Sequence, residues 1–118
     1  MLDSIFIILS LLLIKHCYID FVNQNSEEIS RKGIYGDWIG LGHSIKHGLG
    51  TVFVLVFFAD FWLALFLGFI DFVIHYHVDW IKVKFGTKNM SSQRFWTEFG
   101  LDQMAHNLTY VYIVWLLL

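Results

Sequence analysis

The chain has 118 residues, 57% of them hydrophobic and 19% aromatic, with only 15% charged, no proline and a mean hydropathy of +0.59. A soluble domain this small needs a polar skin over much of its surface, and ten acids with eight bases cannot supply one, so the composition indicates a one-domain membrane protein. The single cysteine, Cys17, excludes an intrachain disulfide scaffold, and a net charge of -2 offers no basic surface for nucleic acid.

The first apolar run, residues 2–24, has Asp3 where a signal peptide has a basic segment, lacks a small-x-small cleavage site and continues into Lys15, His16 and Asp20. It is expected to remain in the mature protein as a span, since about 20 residues at 1.5 Å rise cross the roughly 30 Å hydrocarbon core. Residues 25–42, rich in Asn, Ser, Glu, Arg, Lys and Gly, form a polar connection. From His43 to Gly86 the chain is too long for one span, and its apolar window is interrupted by Asp60. A carboxylate at mid-bilayer costs at least about 2.5 kcal/mol, whereas Asp is a favoured helix N-cap. A hairpin turning at Ala59-Asp60 is therefore expected, with helices over 43–58 and 61–85. After a polar link at 86–94, residues 95–118 form the last helix. The expected fold is an all-α integral membrane protein, an antiparallel four-helix transmembrane bundle.

With four spans, the two longer connections share one side and collect Arg31, Lys32, Lys82, Lys84, Lys88 and Arg94, while the other side shows Asp3 and Asp60. The positive-inside rule then predicts a multi-pass protein with both long loops cytoplasmic and both termini non-cytoplasmic. Trp38, Trp80, Trp96 and Trp115 fit interfacial anchoring.

The ionisable residues within these helices recur as four pairs spaced i, i+4: His16 and Asp20, His43 and His47, His75 and Asp79, Asp102 and His106. That spacing sets both members on one helix face, and all four pairs fall in the cytoplasmic half. Polar groups at such depth are expensive unless they pair, face a hydrated cavity or bind a metal. Five imidazoles and three carboxylates suit Zn, Fe or Mn, as one ion or two. Asp20, Asp79, His75 and His106 form the expected core, with His16, His43, His47 and Asp102 completing or supporting it. A metal-free network of His-carboxylate hydrogen bonds binding the helices together is the competing explanation. Asp79, Lys82 and Gln24 are the candidate catalytic groups, the last two lying where an anionic head group would be held, although snorkelling also explains Lys82. Asp71, one turn before His75, is a candidate to orient it. Gln103 is a neighbour of Asp102, and His77 points off the His75 face.

The segments HCYIDFVNQ (His16 to Gln24), HSIKH (His43 to His47), HYHVDWIK (His75 to Lys82) and DQMAH (Asp102 to His106) together resemble the bacterial and phage membrane family called domain of unknown function 3307. The resemblance implies a small integral membrane protein and carries the His, Asp, Gln and Lys positions over as its functional set.

Two functions follow as expectations. In the first, a cytoplasm-facing divalent metal activates water to hydrolyse an ester or phosphoester of a lipid or other amphiphile in the bilayer. In the second, a non-enzymatic, phage-encoded protein acts through a host membrane protein or as a homo-oligomer, with the cluster serving as structural metal site or hydrogen-bond network. An open, solvent-reached coordination position distinguishes the enzyme from the closed shell of a structural site.

Overall fold

A computed structural model describes residues 1–118 as helices and links, without strands. Helix α1 (Leu2–Cys17) runs into a π-helical segment (Tyr18–Asn23) and is followed by a short α2 (Ser26–Arg31), then α3 (Trp38–Leu55), α4 (Phe61–Phe85) and α5 (Gln93–Leu117).

Local chemistry sets most of these ends. Asn25 opens α2 with a capping box, accepting from the Glu28 N–H while the Glu28 carboxylate accepts from the Asn25 N–H. Asp37 caps α3 through the Ile39 N–H, Asp60 caps α4 through the N–H groups of Trp62 and Leu63, and Ser92 caps α5 through the Phe95 N–H. The stretch expected to be a polar connection, 25–42, is thus partly helical. It contains α2, and α3 starts at Trp38 rather than His43 because Asp37 supplies the cap. Gly36, at a φ of 80°, makes the left-handed turn between α2 and α3 that other residues rarely adopt.

The long helices run antiparallel to their neighbours. On α1 and α3, Lys15 meets His47 while Asp20 meets His43. On α4 and α5, Asp79 meets His106 while Lys82 meets Asp102. Helices α3 and α4 cross closely at Gly48 and Gly68: a Cβ on Gly48 would lie 2.8 Å from the Gly68 carbonyl oxygen. Only hydrogen at both positions permits that approach.

Along its axis the interior divides in two. Towards the α3–α4 turn, Leu12, Leu55, Leu67 and Ile113, one from each long helix, make an apolar core. Towards α2 and the α4–α5 link, the interior is polar, with more polar and charged residues buried in the chain than hydrophobic ones. Large apolar side chains such as Phe6, Leu49, Phe53, Phe66, Leu108 and Trp115 are exposed. Two helices, Leu2–Asn23 and Phe61–Phe85, are long and apolar enough to cross a membrane.

Candidate metal centre

Helical spacing presents each i, i+4 pair inward, and antiparallel packing brings the four pairs to one level. The rings of His47 and His75 stack at 3.5 Å between centroids and those of His75 and His106 at 4.0 Å, while His16 and His43 close the group at 5.2 Å from His106 and 4.9 Å from His47. All five imidazoles are buried, as are Asp20, Asp79 and Asp102. The sequence periodicity thus identified residues that meet in space.

Two sets of ligand atoms converge within 4.8 Å of one another: Asp20, His43, His47 and His75 in one, and His75, Asp79 and His106 in the other. His75 belongs to both. Two N or O donors about 2.0–2.1 Å from one tetrahedral ion are about 3.3 Å apart. His75 Nε2 lies 3.2 Å from Asp79 Oδ2 and 3.6 Å from Asp20 Oδ1, and His43 Nε2 lies 3.6 Å from Asp79 Oδ2. Neither ring nitrogen of His75 has a hydrogen-bond partner, nor does Asp79 Oδ2, although all are buried. Buried polar atoms left without hydrogen bonds are costly, and of these His75 Nε2 and Asp79 Oδ2 lie at the spacing of co-ligands, with the Lys32 ammonium 2.8 Å from the carboxylate oxygen as the charge a metal would replace. The donor set therefore fits a divalent ion.

Other contacts are hydrogen bonds. Asp20 Oδ1 accepts from His43 Nε2 at 2.9 Å and His47 Nε2 at 2.8 Å, joining α1 to α3. The Gln103 amide N–H donates to Asp102, which fixes its Oε1 as acceptor from His16 Nε2 at 3.0 Å. His16 Nδ1 then accepts from the Tyr110 hydroxyl at 2.9 Å. With both nitrogens so engaged, His16 touches the cluster but stands outside the two convergent sets, as does Asp102.

A further match joins this geometry. The family described as Protein of unknown function (DUF3307) covers residues 8–118. The chain belongs to that family. No curated protein and no solved structure matches it.

In this family member, three lysines enter the interior. Lys32, on the turn after α2, is buried and forms an ion pair, its Nζ 2.8 Å from Asp79 Oδ2. Lys82 lies 3.3 Å from Asp102. Lys15, deeper in, donates to Asp71 at 2.8 Å, Tyr110 at 3.1 Å and the His47 carbonyl at 3.2 Å, while Thr51 donates to the same Asp71 oxygen at 2.6 Å. Asp71 thus orients Lys15 and not His75, which corrects the expectation for it: one helical turn separates Asp71 from His75 along α4, and Lys15 fills the space that Asp71 faces. Sequence alone assigned no role here to Lys15, Thr51 or Tyr110. Their only signal was polarity within an otherwise apolar stretch.

Helix α2 is itself held on α3 by an ion pair between Glu28 and Lys46. Partial burial pushes the Glu28 carboxyl up, but Lys46 and the Asn25 N–H outweigh it and hold it below the usual Glu range. Gln24 donates to the Asp20 carbonyl at 3.0 Å, and its Oε1 is buried without a partner. His77 turns away, bonded to Val73 and Tyr35.

A cavity of about 680 Å³ leads from the cluster towards the α2 and α4–α5 links; Asp20, Asp79, Asp102, Gln24, Lys32 and Lys82 line it.

Proposed function

We propose that this chain is a four-span membrane protein whose His/Asp cluster holds a divalent metal, Zn, Fe or Mn, and hydrolyses an ester or phosphoester of a membrane-associated amphiphile. The observation that carries the enzymatic assignment is the cavity: Asp20 and Asp79, one from each convergent ligand set, are among the residues that line it. A closed structural site would bury its ligands on every side.

His75, Asp79, His106, Asp20, His43 and His47 would hold the metal as one or two ions. The metal would supply a water of lowered pKa and a Lewis acid. His16 and Asp102 support the set through Gln103. Lys82 and Gln24 line the cavity where an anionic head group would sit, and Asp79 lines it as a ligand whose carboxylate would hold the metal and its water.

Four spans are supported by how α3 and α5 are built. Their polar residues, His43, His47, Thr51, Asp102 and His106 among them, face inward and lower the average hydropathy, while Leu49, Phe53, Leu108 and Val111 cover the outside. Non-cytoplasmic termini are supported by the basic loops, and the bacterial inner (cytoplasmic) membrane is the location that the family resemblance implies. A reporter fused after Leu118 checks this, and a cytoplasmic signal would overturn it.

The non-enzymatic alternative, in which the cluster is structural and the protein acts on a host membrane partner, draws support from the ion pairs that already neutralise Asp79 and Asp102. Metal analysis of protein purified without chelators separates the two. The hydrolase assignment expects bound metal and metal-dependent hydrolysis of a phosphoester. A metal-free protein leaves the hydrogen-bond network as its explanation.

A further inference from the structure

Two cavities meet at one ion pair. Beside the 680 Å³ cavity, a second of about 380 Å³ runs along the outer seam of α4 and α5, where Val78, Ile81, Phe85 and Leu101 give it apolar walls. Ile81, Phe85 and Leu101 are more than half exposed, so this groove opens sideways, away from the core. From Val78 to Phe85 it extends about 10 Å at helical rise. Lys82, Gly86, Glu98 and Asp102 line both cavities, which places the Lys82–Asp102 pair on the partition between them.

The chemistry on the two sides differs. On the cluster side three lysines, Lys32, Lys82 and Lys88, face three carboxylates, Asp20, Asp79 and Asp102, while the fourth, Glu98, is paired with Arg94. The charges of the bare cavity therefore balance, and a divalent ion would tip them positive so that an anion is attracted. Lys82 is suited to receive it. Its Nζ has one hydrogen-bond acceptor, Asp102 at 3.3 Å, and sits 4.9 Å above the Phe99 ring, which leaves N–H groups to donate. On the seam side there is a wall for hydrocarbon.

Resting on the metal-hydrolase assignment, we infer that the substrate is a lipid phosphoester taken sideways from the bilayer, its phosphate in the cluster-side cavity and its proximal hydrocarbon chain in the α4–α5 groove. The Lys82–Asp102 pair stands where head group and chain join, and Lys82 exchanges Asp102 for the phosphate as the lipid enters. An apolar groove alone would suit any hydrocarbon; its junction with a lysine and a metal-dependent anion site selects a phosphate carrying a tail.

Binding to the full chain in neutral detergent tests this, with hexadecyl phosphate and inorganic phosphate as probes and metal content measured on every sample. Metal-loaded protein should bind both, hexadecyl phosphate more tightly, and metal-stripped protein neither. Leu101→Trp, which fills the groove from its exposed wall, should weaken hexadecyl phosphate about tenfold or more and leave inorganic phosphate unchanged. Should Leu101→Trp lose metal, Ile81→Trp fills the groove from the other wall with the same expectation. Equal affinity for the two probes, or tail binding untouched by the groove variant, overturns the sideways seat while the metal centre stands. A native protein that carries no metal and binds neither probe overturns the metal centre and this inference together.

Discussion

His75 Nε2 and Asp79 Oδ2 stand 3.2 Å apart on one face of α4, and neither has a hydrogen-bond partner. The Lys32 ammonium lies 2.8 Å from that carboxylate oxygen and is the charge a metal would replace there. Asp79→Asn keeps the size of the side chain and removes its charge, so metal content should fall about tenfold or more while the helices still assemble. Elemental analysis beside circular dichroism checks this; full metal content and full activity in the variant would remove Asp79 from the site.

The buried pair of Lys15 and Asp71 gives a stability prediction. Removing one partner leaves an uncompensated charge in the interior, so Lys15→Met or Asp71→Leu should each cost about 3–5 kcal/mol. The double variant, with no charge left to strand, should recover most of the loss. A double-mutant cycle in detergent measures it.

At the α3–α4 crossing, Gly48→Ala would bring a methyl group to 2.8 Å from the Gly68 carbonyl and 2.9 Å from Phe72 Cβ. The backbone cannot yield cheaply, so the helices must part, at about 1–3 kcal/mol. Gly42→Ala, where a Cβ meets nothing within 4 Å, is the control and should leave the thermal midpoint in place.

For pH, Glu28 decides the behaviour of α2. Its folded-state pKa is lowered, so its stabilising contribution is whole above the ordinary Glu value of about 4.3 and is lost as pH falls through the lower folded value. Amide protection over Ser26–Arg31 should therefore decline below about pH 4. Glu28→Gln should weaken α2 at neutral pH and flatten that decline.

Much of the candidate site could be read from the sequence because i, i+4 spacing states which residues share a helix face. It does not state which helix lies opposite. Asp20 was paired by spacing with His16, yet its 2.8–2.9 Å bonds go to His47 and His43 of α3. Lysines were the harder class. Lys32 and Lys82 counted as loop bases in the charge asymmetry, but both turn inward onto Asp79 and Asp102, so Arg31, Lys84, Lys88 and Arg94 carry what remains of it. An ammonium on a long apolar stem can snorkel out or be drawn in, and only the carboxylate opposite decides. Helix α2 was missed because six residues show too little periodicity, while the Asn25 and Glu28 capping box stood in plain view.

The bond from Lys15 to Asp71 joins residues 56 positions apart. With α1 as the first span, its ammonium reaches the bilayer well before its counter-charge has been made. At about 5–20 residues per second, roughly 3–11 s of synthesis separate them. Through that interval α1 and the π-helical segment after it would hold Lys15, His16 and Asp20 without α4, each a burden for a lone helix in lipid. On the proposed four-span topology, α1 would therefore wait for α4 with its ammonium unpaired, a built-in delay in assembly that the order of the chain alone imposes.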